Sequence, residues 1–128
     1  MTEGGEYEFV IPNLPPSVNS LYNIIHAQRR IYLKPEARKW KTDAKLFMPV
    51  LACEGWETAS IALYLHGNWY FKNGNRRKID LQNLEKLIID AVSEKAGICD
   101  SVFFSKHSRK IQDEKEEVRV KIRCLKLK

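Results

Sequence analysis

The chain has 128 residues, enough for one hydrophobic core and too few for two full domains, so a single domain over residues 1–128 is expected. With 44% hydrophobic and 30% charged residues it has the composition of an ordinary globular protein, which excludes a disordered chain. Its longest apolar stretches, such as Ile61 to Leu65, are too short to span a bilayer, and a net charge of +6, from 22 basic and 16 acidic residues, favours a polyanionic partner through counterion release.

Tyr7, Phe9 and Ile11 alternate with Glu8 and Val10, which predicts a first strand that Pro12 and Pro15-Pro16 end. Pro12 to Ser20 reads as an ordered loop, and Tyr22 to Leu33, with Arg29-Arg30 near its middle, as either a hairpin or an extended arm. Pro35 fits the first turn of a helix, and Ala37, Trp40, Ala44, Phe47 and Met48 then recur at helical spacing to about Leu51. Thr58 to His66 alternates as a second strand. Lys72 to Lys78 is a turn with a basic run, and it delivers the chain to Asp80.

A second helix is predicted from Leu81 to Lys95. Leu81, Leu84, Leu87, Ile88, Ala91 and Val92 gather on one side, Gln82, Asn83, Lys86 and Asp90 on the other, and Gly97 closes it. Val102 to Lys106 and Val118 to Leu127 are predicted strands, with a slip of phase at Leu125 that suggests a bulge or a change of burial there. The order of elements implies an α/β fold, one mixed sheet packed with two main helices.

The N-terminal segment Met1 to Glu6 is acidic and polar, the wrong charge for a secretory signal, which leaves the cytoplasm as the expected compartment. Cys53, Cys99 and Cys124 are odd in number and widely spaced, so reduced thiols are expected. His26, His66 and His107 show no ligand spacing, although His107 lies near Asp100 in sequence.

The most informative stretch is Arg76-Arg77-Lys78-Ile79-Asp80-Leu81-Gln82-Asn83-Leu84-Glu85-Lys86, followed by Asp90-Ala91 and then Gly97-Ile98-Cys99-Asp100. It resembles the signature of the RusA family of Holliday-junction-resolving endonucleases, a basic run leading into Asp-x-Asp-Asn-x-x-Lys, a helical Asp-Ala, a glycine and an Asp-Asp pair. Pro15-Pro16-Ser17-Val18-Asn19 is similar to that family's Pro-Ser-x-Asn loop, so the resemblance runs from about Glu8 to Lys110. It implies a RusA-like fold, a homodimer, dependence on Mg²⁺ with Mn²⁺ as a substitute, and paired symmetric nicks in a four-way junction or other branched DNA. Neither a membrane nor a nucleotide cofactor is implied.

Carried over by position, Asp80 and Asp100 match metal-binding carboxylates and Lys86 the essential lysine, while Asn83 matches the motif asparagine. Arg76, Arg77 and Lys78, with Asn19, would contact DNA. The sequence departs from the pattern at Gln82, where a second carboxylate would stand, and at Cys99, where the Asp-Asp pair would begin. Gln82 offers magnesium a neutral carbonyl and so a weaker grip.

The physics of phosphodiester hydrolysis suits the same residues. A magnesium ion held by carboxylates activates water and offsets phosphate charge, and a lysine two turns into the helix is a point charge for the scissile phosphate. In that scheme Asp80, at a helix start, and Asp100, after that helix, converge if both sit at one end of the sheet.

Each residue also has an ordinary role. Asp80 suits an N-cap, Lys86 and Asp90 a surface i,i+4 pair, Asp100 a turn, and Arg76 to Lys78 a solvated loop. Trp40 and Trp56 are read as core or staple residues. Trp69 and Tyr70 are read first as core, with stacking on an unpaired base as the alternative. Two rivals therefore stand beside the nuclease: a branched-DNA-binding homologue weakened or inactivated by Gln82, and a small basic domain that binds RNA or protein through Arg119 to Arg123.

Overall fold

The computed structural model describes residues 2–16, 22–25, 30–33, 35–51, 56–77, 79 and 81–127. In chain order these form β1 (Thr2–Ile11), β2 (Tyr22–Ile25), β3 (Arg30–Leu33), α1 (Pro35–Lys45), β4 (Thr58–Gly67), α2 (Leu81–Ala96), a 3-10 turn (Asp100–Val102), β5 (Phe103–Gln112) and β6 (Glu117–Leu127). Four strands make one mixed sheet in the order β1-β6-β4-β5. Its pairs are antiparallel except β4 with β5, the two strands that α2 connects. The α/β architecture expected from the sequence is the one observed. Segment Tyr22 to Leu33 forms a hairpin, β2 against β3, with Tyr22 opposite Leu33.

Period-two patterning decides which face of the sheet is covered. Ala59, Ile61, Leu63 and Leu65 of β4 and Val118, Val120, Ile122 and Cys124 of β6 are all buried. They form one core with Ala37, Trp40 and Ala44 of α1 and Leu84, Leu87, Ile88, Ala91 and Val92 of α2. The alternate residues, Ser60, Ala62 and Tyr64 on β4 and Arg119, Lys121 and Arg123 on β6, lie on the face without helices and keep access to solvent.

Several boundaries differ from the sequence-based expectation. Helix α1 stops at Lys45, where bonds from Leu46, Phe47 and Met48 reach back three residues, and Pro49 disfavours helical backbone before it. Phe47, expected on the buried stripe, is therefore 51% exposed. β5 runs to Gln112 instead of ending at Lys106, because an edge strand needs no apolar alternation to pair with β4. No bulge occurs at Leu125, which pairs in register with Gly4 and Thr58; the irregularity lies between Ala59 and Ser60, opposite Phe103 and Ser105.

Cys99 and Cys124 are free thiols, the second buried, and Cys53 lies outside the described residues. Among the described residues no helix is long and apolar enough to cross a membrane.

Candidate active site

The chain leaves β4 at Gly67 and returns to α2 through a tightly fastened connection. Trp69 is 4% exposed; its indole N–H donates to Ile111 O at 3.0 Å and its backbone N–H to Gln112 Oε1 at 2.9 Å. Beyond it, Tyr70 pairs with Arg76 as an isolated bridge, and Phe71 N donates to Asn75 O at 2.8 Å. Gly74, at φ +86°, turns the tip where a side chain would be strained. Arg77 then anchors the return, its Nη1 on Asn68 O and its N on Trp69 O, both at 2.8 Å. Finally the Lys110 ammonium, 4.9 Å from the Trp69 ring centre, donates to Ile79 O at 2.5 Å. The residue before Asp80 is thereby tied to β5.

The N-terminal proline loop joins the same region. Trp40 Nε1 of α1 donates to Asn13 O at 3.2 Å. Leu14 lies over Gly67 so closely that a Cβ there would stand 2.6 Å from its Cδ1. A cavity of about 70 Å³ is lined by Leu14, Pro15, Trp69, Arg77 and Ile79, so the two loops that carry sequence motifs meet. Asn19, Lys78 and Asp80 themselves lie outside the described residues.

On α2, Leu84, Leu87, Ile88 and Val92 fill the core and leave the opposite stripe for chemistry. Gln82 and Lys86 are exposed, Asn83 and Asp90 half-buried. Burial pushes the Asp90 carboxyl above its ordinary range; Lys41 and Lys86 pull it back, while Asp100 and Glu94 push it further up. Lys86, Asp90, Asp100 and Lys41 therefore share one electrostatic neighbourhood.

Glu94, one turn beyond Asp90, pairs with Lys45 at 2.8 Å and with Lys41, clamping α1 to α2. Burial raises its carboxyl, but the two lysines outweigh burial and hold it below the ordinary glutamate value.

Gln82 opens α2 and Asp100 follows its end in the chain. The 16 residues of α2 rise about 24 Å, with Gln82 in the first turn and Asp100 beyond the last. The strand confirms the direction: Ser108 Oγ meets Glu85 Oε2 at 2.5 Å and Lys110 meets Ile79, so β5 runs back toward the start of α2. Phe103, just after Asp100, is about 17 Å of strand away from Ser108. The convergence of Asp80 with Asp100 falls on a residue outside the described ones, Asp80.

Gln82 and Asp100 are hard oxygen donors, the type that suits magnesium, yet among the described residues no three His, Cys, Asp or Glu groups are placed to hold an ion.

Other candidates sort by face. His66 is buried, its Nδ1 3.0 Å from Asp113 Oδ2. His107 faces away from α2, edge-on to Tyr64 at 6.1 Å, and so is not part of the Asp100 neighbourhood. On β6, Arg119 pairs with Glu117 at 2.7 Å, Lys121 with Glu8 at 3.6 Å and Arg123 with Glu6 at 3.8 Å. Trp69 is core, as expected, whereas Tyr70 and Phe71 are 47% and 57% exposed.

Sequence inspection misses Lys41 and Lys110, because their partners lie 53 and 31 residues away and leave no local pattern. A half-buried carboxylate such as Asp90 is visible in sequence only as an acidic residue on the polar side of a helix.

The family model for endodeoxyribonuclease RusA matches residues 13–123. No curated protein matches the sequence. A crystal structure of 2C-methyl-D-erythritol 2,4-cyclodiphosphate synthase from Plasmodium vivax aligns over 97% of this chain and 95% of that one, at 11% identity and a TM-score of 0.33, a likeness too slight to bear on fold or function. The family match takes in the proline loop, the basic connection, the whole of α2 and Asp100, and on that extent the chain belongs to the RusA endodeoxyribonuclease family.

Proposed function

We propose that the protein is a Mg²⁺-dependent, structure-selective endonuclease of the cytoplasm that resolves Holliday junctions by paired symmetric cuts during DNA recombination and repair. The observation that carries this reading is the family match over residues 13–123, which encloses every candidate site residue from Asn19 to Asp100. Asp80 and Asp100 would hold the metal, with Gln82 as a neutral ligand. When bound, the metal would supply an activated water and offset charge on the scissile phosphate.

The chain's own residues do the rest. Lys86, exposed one turn from Asp90, presents a cation to the phosphate, and Arg76, Lys78, Asn83 and Asn19 hold the flanking backbone. Arg77 is engaged with Asn68 O and so also fixes the entry to α2.

The length of α2 between Gln82 and Asp100 supports a homodimer. A two-fold pair allows the start of α2 in one protomer to face Asp100 of the other, and it matches the symmetry of a four-way junction. Sedimentation at micromolar concentration tests this, with a dimer expected and a monomer counting against it.

Gln82 supports a second reading, a branched-DNA binder with little or no cleavage. The rival that uses Arg119 to Arg123 as an RNA or protein footprint is weakened by the carboxylate beside each of those cations. The deciding experiment is cleavage of a labelled four-way junction in Mg²⁺ or Mn²⁺, beside Asp80→Asn and a linear duplex. Paired nicks lost in Asp80→Asn are expected. Tight junction binding without nicks would favour the binding-only reading.

A further inference from the structure

The connection between β4 and α2 holds two large aromatic side chains out in solvent. Tyr70 and Phe71 are 47% and 57% exposed, next to Trp69, which is 4% exposed. Their exposure is built, not incidental. The tip is closed by Phe71 N on Asn75 O at 2.8 Å, Gly74 N on Phe71 O at 2.9 Å and Asn75 N on Asn73 Oδ1 at 3.0 Å. Its base is fixed by the two Trp69 bonds and by Arg77 on Asn68 O. The aromatics thus lose little conformational freedom on meeting a partner.

The surroundings specify that partner. From Gly67 to Ile79 the sequence contains Lys72, Arg76, Arg77 and Lys78 and no acidic residue. On β6, by contrast, Arg119, Lys121 and Arg123 each stand beside a carboxylate. A rigid tip that combines aromatic faces with a run of cations in its own sequence fits a nucleobase on a phosphate backbone. Within linear duplex every base is already stacked between neighbours. At a branch point a base can be unstacked at small cost, so an aromatic tip favours branched over linear DNA while its cations grip both.

We propose that the Tyr70-Phe71 tip stacks on an unpaired base at the branch point and is the element by which this chain distinguishes branched DNA from linear duplex. This inference rests on the branched-DNA reading above and assigns selectivity to residues outside the cleavage chemistry.

The test is metal-free binding of the full chain to a fixed four-way junction and to a linear duplex of the same sequence, with the ratio of the two affinities as the readout, so that losses common to both ligands cancel. Stacking on one base is worth roughly 5- to 150-fold in affinity. Phe71→Ala is expected to lower the junction-to-duplex ratio about 10-fold, and Tyr70→Ala with Phe71→Ala further. Phe71→Trp is expected to keep the ratio, with its added indole emission quenched by junction and not by duplex. A ratio within twofold of the parent in the double variant overturns the inference while leaving the nuclease reading intact. Equal affinity of the parent for both ligands overturns the branched-DNA reading, and this inference with it.

Discussion

Replacing Lys110 by Met tests whether the tether to Ile79 positions the start of the candidate site. Methionine keeps most of the aliphatic stem and removes the ammonium that donates to Ile79 O at 2.5 Å and sits 4.9 Å from the Trp69 ring centre. A hydrogen bond from a charged donor contributes about 1.5–3 kcal/mol, and a partly desolvated cation over an indole about 0.5–1 kcal/mol. The two share one ammonium that is well hydrated in the unfolded chain, so a net loss of roughly 2–3 kcal/mol is the expectation. For 128 residues that is a drop in Tm of roughly 6–15 °C.

The functional consequence is larger, because Ile79 immediately precedes Asp80. A misplacement of about 1 Å in a reacting group can cost about 100-fold in rate. Lys110→Met is therefore expected to lower cleavage 10- to 100-fold by this estimate, while the junction Kd stays near that of the parent. Thermal melts and single-turnover cleavage at saturating protein measure the two effects. A Tm within about 2 °C of the parent (on the same scale) together with unchanged single-turnover cleavage would refute the reasoning.

Three further outcomes follow from the structure. Glu94→Gln releases the clamp between α1 and α2; because the lysines hold the Glu94 carboxyl below its ordinary value of 4.5, its stabilisation is present above that pH and lost as pH falls through the depressed folded value. Melts of parent and variant should thus differ at pH 7 and converge near pH 3 or below, on the order of the ordinary carboxylate range. Leu87→Ala, at a position with no exposure in the core face of α2, should cost roughly 2–5 kcal/mol by urea denaturation, with an m-value like the parent's. Gln82→Asp restores a carboxylate on the exposed first turn of α2, so half-maximal cleavage should need about 10-fold less Mg²⁺ by the charge dependence of oxygen-ligand sites; an unchanged Mg²⁺ requirement would remove Gln82 from the ligand set.

Local patterning made much of this fold legible. β4 and α2 were predicted within a residue or so of their observed ends, since alternation at period two and clustering at 100° per residue each report a buried face. Alternation ends β5 too early because Ser105 to Lys110 is nearly all polar, and nothing in that run reveals that its backbone pairs along one edge with β4. Helical spacing overextends α1 because Phe47 and Met48 keep it past Lys45, where Pro49 disfavours helix. The motif residues were found by their order along the chain, but their spatial relation was not. Asp90 and Asp100 are ten residues apart in sequence, and only the fold shows that they share one electrostatic neighbourhood.

The distribution of charge gives the remaining step. A chain with a net charge of +6 would repel itself least if its cations were evenly paired, and on β6 three of them are: Arg119, Lys121 and Arg123 each stand beside a glutamate. The connection from Gly67 to Ile79 has no such acidic counterpart in its own sequence, and it leads directly into α2. Loss of one phosphate contact reduces the salt slope of DNA binding by about one unit. The slope should therefore respond to Arg76→Ala and not to Arg123→Ala, because removing a cation already beside Glu6 releases no counterion from DNA. If Arg123→Ala flattened the slope as much as Arg76→Ala, the polyanion would have to lie across the open sheet, and the basic connection would lose its claim to be the DNA-facing edge of the site.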